Sequence, residues 1–593
     1  MEKVELEEPL PEIQYRKATS AEMYALKKQA VQYYKENGVP LKMENVMNEM
    51  FYDRPDDVFG HIANYFESFA KAVTINKVEL LDTFDSRGQQ SLTTNLYGIV
   101  RNNSKLLAET QLTSSSRLPD YSSPEEKEND AVERQESLKA SIELINDKIS
   151  PVLIGIDVNE QNQIDEEISK ILLPLQEALD KERQEEENKK KEEQERIEAE
   201  KVVSAKDKRK SPKVKGKGAA VVIIPDEPKD KLIPGYESGC IVSKSVCKAG
   251  SFVKNCELYE YIGSLTGKDQ FKIPLPMFTI FYSGRAAPGK QNYVKEYMII
   301  PSPTKTLSQA VKESVQIYNT IGDILASKAA ASDKGGKKQN SIINEGPYIT
   351  SKLVNDTGAF CTPLDRIEQG LDLIQDAMKH LNLESGTDFY FALNLSGQEV
   401  FDYEKGKYEI VAGIQKTGDD LADVLNDILN KYPGVIALID PVRKEEKQAW
   451  QKISEKISPR CYIGRNVNTR HFFNDIPNPE LPISASVLKL ETSTISHITS
   501  VISHSDANEI VTIMQSSQGE SEDSFISDLA VANDCKFIHV GAPCRGERLS
   551  KVNRLLRIEQ LLGDKALKWP ENFEFPYLPI PQVEEPEEEE KVE

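Results

Sequence analysis

Where an apolar run with β character stops on an acid, that acid is a candidate metal ligand or substrate contact, because the C-terminal ends of parallel strands open onto the site of a β/α fold. The run GVIALIDP, residues 434–441, stops in this way on Ile439-Asp440-Pro441, and a charged helical stretch follows. Either Asp440 is the working acid or Ile439 stands where that acid ought to be. The other strand ends add Glu296, Thr357, Asn394, Arg465, Asn466, Lys489, Gln515 to Gln518 and His539. A lysine facing into such a mouth acts as a base or neutralises nearby acids. Ser516 and Ser517 could donate hydrogen bonds to a phosphate, with less affinity than arginine. His539 is largely uncharged at neutral pH. His61 sits on an N-terminal helical pattern and reads as a half-buried surface histidine. The 7 cysteines form no CxxC pair, so neither a disulfide framework nor a zinc site follows, and reduced thiols in a cytoplasmic compartment are expected. Cys361, Cys461 and Cys544 read as packing residues.

From about residue 345 to 563 the pattern is strand then helix, six times over. The strands are DFYFALNLS, GVIALIDP, RCYIGRN, ASVLKLE, EIVTIMQSS and FIHVG. Alternation at this spacing predicts parallel strands with covering helices, and the further β signal in KIPLPMFTIFYSG favours a closed barrel over an open sheet. Upstream, residues 77–115 alternate like strands, with a hairpin turn at Arg-Gly, and helical patterns follow. Charged residues 181–233 read as a solvated helix and disordered linker, and 326–341 as a second flexible piece. The expected fold class is therefore α/β. Residues 1–76 would form a helical module, 77–268 an α+β capping domain carrying the insertion, 269–566 the barrel and 567–593 an acidic tail. With 74 Lys+Arg against 96 Asp+Glu, the net charge of −22 disfavours nucleic acid as a partner. No apolar run is long enough to predict a membrane span, and the acidic, polar first residues do not resemble a secretory leader.

Four separated segments carry a resemblance. GAPCRGERLSKVNRLLRIEQLLG (541–563), QGESEDSFISDLAVA (518–532), FDSRGQQSLTTNLY (84–97) and VKEYMIIP (294–301) resemble, in order and spacing, segments of the enolase family. The resemblance implies a phosphopyruvate hydratase that converts 2-phosphoglycerate to phosphoenolpyruvate in glycolysis. A lysine base would remove the proton and magnesium would stabilise the dianion, a pattern named for the enolase superfamily. On this resemblance Lys489 matches the base and Glu296 a glutamate at the hydroxyl end of the substrate. The proton-donating glutamate falls on Thr357. The three magnesium carboxylates fall on Asn394, Ile439 and Arg465. The substrate-binding lysine falls on His539, and the His-Arg-Ser phosphate run on Ser516, Ser517 and Gln518. The first catalytic loop reads TSSSRLPD (113–120), and the histidine loop reads SGRAAPGK (283–290) without a histidine. Ile439 cannot ligate a metal, Asn394 offers only a neutral oxygen, and Arg465 would place a positive charge where the dication sits.

The resemblance also implies pairing into a homodimer. The helical first 76 residues and the long charged insertion are most similar to a divergent branch of the family in the sperm flagellum, which implies a cilium or flagellum as location and axonemal proteins as partners. The N-terminal helices resemble dimerisation-docking domains, which accept an amphipathic partner helix. Two readings follow: a hydratase with a degraded metal site, or a catalytically inactive scaffold.

Overall fold

The computed structural model describes residues 20–113, 122–207, 231–333, 353–570 and 572–575. It divides into two compact units, Met1–Ala72 and Val73–Glu593. Most of the TSSSRLPD loop, the basic run beyond residue 207, residues 334–341 of the second expected flexible piece and the acidic run at 584–593 lie outside the described residues.

The first unit contains helices α1 (Ser20–Glu36), α2 (Val39–Asp53) and α3 (Val58–Glu67). Gly38 turns the chain between α1 and α2 in the left-handed region, at φ 62°, a conformation glycine adopts without a Cβ clash. Asp57 caps α3 by accepting the Gly60 N–H at 2.8 Å. Among the unit's described residues Val46 alone is a buried hydrophobic, while Tyr24, Phe51, Tyr52 and Phe59 are exposed.

The second unit opens with an antiparallel sheet of β1 (Thr74–Phe84), β2 (Gln90–Val100) and β3 (Asn103–Gln111). The β1–β2 turn is built by Asp85, whose Oδ1 accepts from the Arg87 and Gln89 N–H groups at 2.9 and 2.8 Å. Such an Asx turn competes well with regular structure and fixes the hairpin register. Helix α4 (Pro124–Glu143) starts on a capping box between Ser123 and Glu126. A 47-residue helix, α5 (Gln161–Asp207), runs without interruption through Pro174 into the charged insertion. Ile75, Leu96, Ile145, Ile164, Ile168, Val242 and Val246 form the core of this region.

The remaining strands form a closed eight-stranded barrel: β4 (Leu275–Tyr282), β5 (Glu296–Pro301), β6 (Phe389–Asn394), β10 (Val435–Ile439), β11 (Tyr462–Asn466), β12 (Ala485–Lys489), β13 (Val511–Gln515) and β14 (Phe537–Gly541). A small sheet of β7 (Phe401–Asp402), β8 (Lys407–Val411) and β9 (Ile414–Lys416) is inserted after β6. Parallel strands were the expectation throughout, but β5 runs antiparallel to both neighbours. The β4–β5 connection holds no helix, and a connection without a crossover reverses the chain rather than returning it. Residues 326–333, expected as flexible, close the helix Leu307–Asp333. The start of the expected tail also packs. Trp569, Phe573 and Phe575 sit against the inner barrel core, and Tyr462 donates to the Glu574 carbonyl at 2.8 Å.

Alternation along each strand sorts the barrel side chains into two shells. Met277, Met298, Ala392, Ala437, Ile439, Tyr462, Ala485, Val487, Ile513 and Phe537 fill the inside. Phe278, Ile299, Phe391, Leu393, Leu438, Ile463, Leu488, Met514 and Ile538 pack outward.

Candidate functional site

One inward position, two residues, beyond the apolar interior, the same alternation turns polar side chains into the mouth of the barrel. Glu296 is two residues before Met298, Asn394 two after Ala392, Lys489 two after Val487, Gln515 two after Ile513 and His539 two after Phe537. Glu296 lies at the N-terminal end of its strand and reaches the mouth because β5 is reversed, its register partners being Tyr282 and Asn394. These residues line a cavity of 470 Å³ together with Thr357, Asp440, Asn466, Ser516, Ser517 and Gln518.

Three of the acids lining the mouth accept hydrogen bonds from neutral donors. Asn394 Nδ2 donates to Glu296 Oε2 at 2.7 Å. Asp440 accepts from the Asn466 N–H at 2.9 Å and from Asn466 Nδ2 at 2.5 Å, tying the end of β10 to β11. It does so from a left-handed backbone, φ 50°. Burial holds its carboxyl above the usual range, against the opposing pull of the Asn466 bonds and the Arg465 charge. Ser517 Oγ donates to Glu491 Oε1 at 2.7 Å. His539 Nε2 lies 2.8 Å from Thr279 Oγ1 and 3.9 Å from Glu296 Oε1. Burial pulls the imidazole below its ordinary pKa, with Glu296 opposing and Arg548 and Lys489 assisting, so His539 is neutral at physiological pH. Lys489 lines the cavity and makes no hydrogen bond or ion pair with the described residues.

The expected phosphate run is anchored from below. Arg548 is 1% exposed; its Nη1 donates to Ser516 Oγ at 3.2 Å and to the Ser517 carbonyl at 2.7 Å, and its Nη2 donates to the Gln518 carbonyl at 2.6 Å. The Ser517 N–H is spent on Glu520 Oε1 at 2.7 Å, and Glu520 in turn holds Lys551 at 2.7 Å. Neither Arg548 nor Thr279 was singled out as a site residue from sequence. Arg548 lies within the segment GAPCRGERLSKVNRLLRIEQLLG, at the start of a helix, where a buried arginine must find several acceptors. The Thr357 hydroxyl donates to Asn355 Oδ1 at 2.9 Å and stays at the rim.

Two positions depart from the expected arrangement. Ile439 is buried in the inner core and does not line the cavity; its Cγ1 lies 3.3 Å from where a Cβ on Gly464 would stand. Arg465 was expected to occupy the dication's place. It instead points away from the cavity, because Tyr462 and Gly464 take the inward positions of β11 and Ile463 and Arg465 the outward ones. Arg465 Nη2 meets Asp475 Oδ2 at 3.2 Å, where Lys444 also binds at 2.6 Å. Burial pushes Asp475 up, but the two cations hold its carboxyl below the usual range. Asn466 takes the inward place.

Magnesium takes oxygen ligands in near-octahedral geometry, usually with one or two carboxylates. At the three positions where the resemblance places the magnesium carboxylates, this chain offers one amide, one alkyl group and one guanidinium directed elsewhere. Among the described residues no group of three or more His, Cys, Asp or Glu is placed to hold a metal. The residues present do not fit the group.

The closed barrel with a reversed second strand, the antiparallel capping sheet and the polar mouth define an enolase-type protein. The family model described as "Enolase, C-terminal TIM barrel domain" matches residues 270–574, and the chain belongs to the enolase family. It is similar along nearly its whole length to Enolase 4 of Xenopus laevis, at 32% identity over 94% of this chain and 95% of that one. Enolase 4 of Homo sapiens is 31% identical over 94% of this chain and 92% of the relative. An enolase of Corynebacterium kroppenstedtii is 28% identical over 55% of this chain and 71% of its own. Enolases generally use magnesium. Among the described residues no helix is long and apolar enough to cross a membrane.

Proposed function

We propose that this chain keeps the enolase barrel but not its magnesium-dependent hydratase chemistry, so that conversion of 2-phosphoglycerate to phosphoenolpyruvate is weak or absent. The observation that carries this reading is the pair Ile439 and Arg465, one apolar and buried, the other turned to Asp475. Removing a proton beside an ionised carboxylate creates a dianion, and a bound cation contributes several kcal/mol to its stabilisation. Lys489 could still accept the proton and Glu296 could still face the hydroxyl. The developing charge, however, would meet Glu296, Asp440 and Glu491, which accept hydrogen bonds from neutral amides and a hydroxyl. Titration of the full chain with magnesium chloride in a calorimeter is expected to show no saturable heat from the barrel mouth. A one-to-one isotherm that disappears in Glu296→Gln would overturn the reading.

We infer that the chain acts as a cytoplasmic scaffold in a cilium or flagellum, as a homodimer, with the N-terminal unit pairing to a second copy. Support comes from α1–α3, which have Val46 as their one buried hydrophobic and leave aromatic side chains in water. A module of this size does not bury enough surface to fold by itself, and pairing two helical hairpins into a bundle supplies the missing core. Deleting residues 1–72 is expected to lower the assembly mass measured by light scattering and to abolish flagellar localisation; unchanged mass and localisation would refute the assignment.

A further inference from the structure

The cavity at the barrel mouth keeps a distinctive hydrogen-bonding surplus. Its cations other than Lys489 are committed: Lys295 pairs with Glu399 at 2.5 Å, and Arg548 is spent on Ser516 Oγ and two carbonyls. His539 is bound to Thr279. What remains without a hydrogen bond among the described residues is the Lys489 amine, the amides of Gln398, Gln515 and Gln518, and the Thr492 hydroxyl, all of which line the cavity.

This set matches a particular chemistry. A primary amide presents a donor and an acceptor side by side, and a hydroxyl does the same on one atom. Three amides, a hydroxyl and one ammonium therefore ask for a ligand with several groups that both donate and accept. A phosphorylated acid such as 2-phosphoglycerate offers one hydroxyl and otherwise acceptors only. It also brings a concentrated negative charge into a space that already holds Glu296, Asp440 and Glu491 with one uncommitted cation, and like charges at such range are costly once desolvated. The volume, 470 Å³, falls in the range of about 300–1,000 Å³ usual for small-molecule sites.

We propose that the mouth of this barrel binds a neutral polyhydroxylated small molecule, a polyol or sugar, through Gln398, Gln515, Gln518, Thr492 and Lys489. The site deepens the reading of a barrel without its metal chemistry and rests on it. Lys489 serves as a hydrogen-bond donor to a ligand hydroxyl rather than as a base, and the loop at 516–518 is held open by Arg548 to present Gln518.

The test is calorimetry of the full chain, with and without magnesium, against glycerol, myo-inositol, glucose and 2-phosphoglycerate as probes. At least one polyol is expected to bind saturably, with stoichiometry near one, and more tightly than 2-phosphoglycerate. Gln515→Leu should weaken that polyol by about tenfold. The exposed Gln398→Ala, which has little folding role to lose, should weaken it several-fold while the melting temperature stays unchanged. Absence of saturable polyol binding up to about 10 mM, an affinity too weak for a built site, would overturn the proposal and leave the metal-free reading intact. Magnesium-dependent binding of 2-phosphoglycerate in preference to the polyols would overturn both.

Discussion

Arg548→Met is expected to lower stability by about 2–5 kcal/mol, the scale for leaving two or three neutral acceptors without their donor. Replacing both partners of a buried ionic contact by apolar groups can be neutral, so the sign depends on what stays behind. Here the acceptors stay. The carbonyls of Ser517 and Gln518 and the hydroxyl of Ser516 lose donors at 2.7, 2.6 and 3.2 Å, and each orphaned buried acceptor costs about 1–3 kcal/mol. Methionine preserves most of the apolar contact, so loss of volume does not confound the result. Arg548→Lys should rescue little, because an ammonium cannot reproduce a planar fork aimed at three acceptors. Urea unfolding read by fluorescence and amide exchange of residues 516–518 would show the effect; a loss below about 1 kcal/mol would mean that water replaces the guanidinium.

The second large effect concerns the inner core. Ile439→Glu combined with Asn394→Asp would set two carboxylates beside Glu296. The register makes these neighbours across three adjacent strands: Glu296 pairs with Asn394, and Asn394 with Ile439. Without metal, an acid in place of a side chain 3% exposed among Met298, Ala392 and Ala437 should destabilise the fold by about 3–5 kcal/mol. With magnesium the same cluster gains oxygen ligands of the hard type that ion prefers. Stability should then recover by about 2.7 kcal/mol at a hundredfold excess over the dissociation constant. Thermal unfolding of the double variant in chelator and in magnesium measures both halves. A melting temperature indifferent to magnesium would show that the inward register alone does not make the site.

Much of this was legible from residue pattern. The six strand–helix units from DFYFALNLS to FIHVG became strands β6 and β10 to β14, because each is a short, mostly apolar run bounded by helical patterns. The hairpin at 84–97 follows from alternation, and Lys489, Gln515 and His539 were legible as strand-end residues. The reversal of β5 was not legible, since an apolar strand has the same composition in either direction and only the absent crossover helix distinguishes them. Arg465 illustrates a finer limit. Position along the chain places it at a strand end, but which of Arg465 and Asn466 turns inward is set by pairing with β10, where Ile439 faces Gly464. The packed start of the tail escaped because Trp569, Phe573 and Phe575 are spaced irregularly in a run of polar and proline residues, where no period reveals burial. Arg548 escaped as a site residue because its partners are backbone carbonyls some thirty residues away.

The role left to Asp440 follows from those bonds. The acid that ends the GVIALID run is a clasp between β10 and β11 through Asn466, and the isoleucine before it offers no oxygen at a position where the family resemblance places a magnesium carboxylate.

The most direct measurement is formation of phosphoenolpyruvate from 2-phosphoglycerate by the purified full chain, followed in a coupled assay with saturating magnesium and with chelator. The expected result is no magnesium-dependent turnover above that of Lys489→Ala. Turnover that requires magnesium and disappears in Lys489→Ala would contradict the proposed loss of hydratase chemistry.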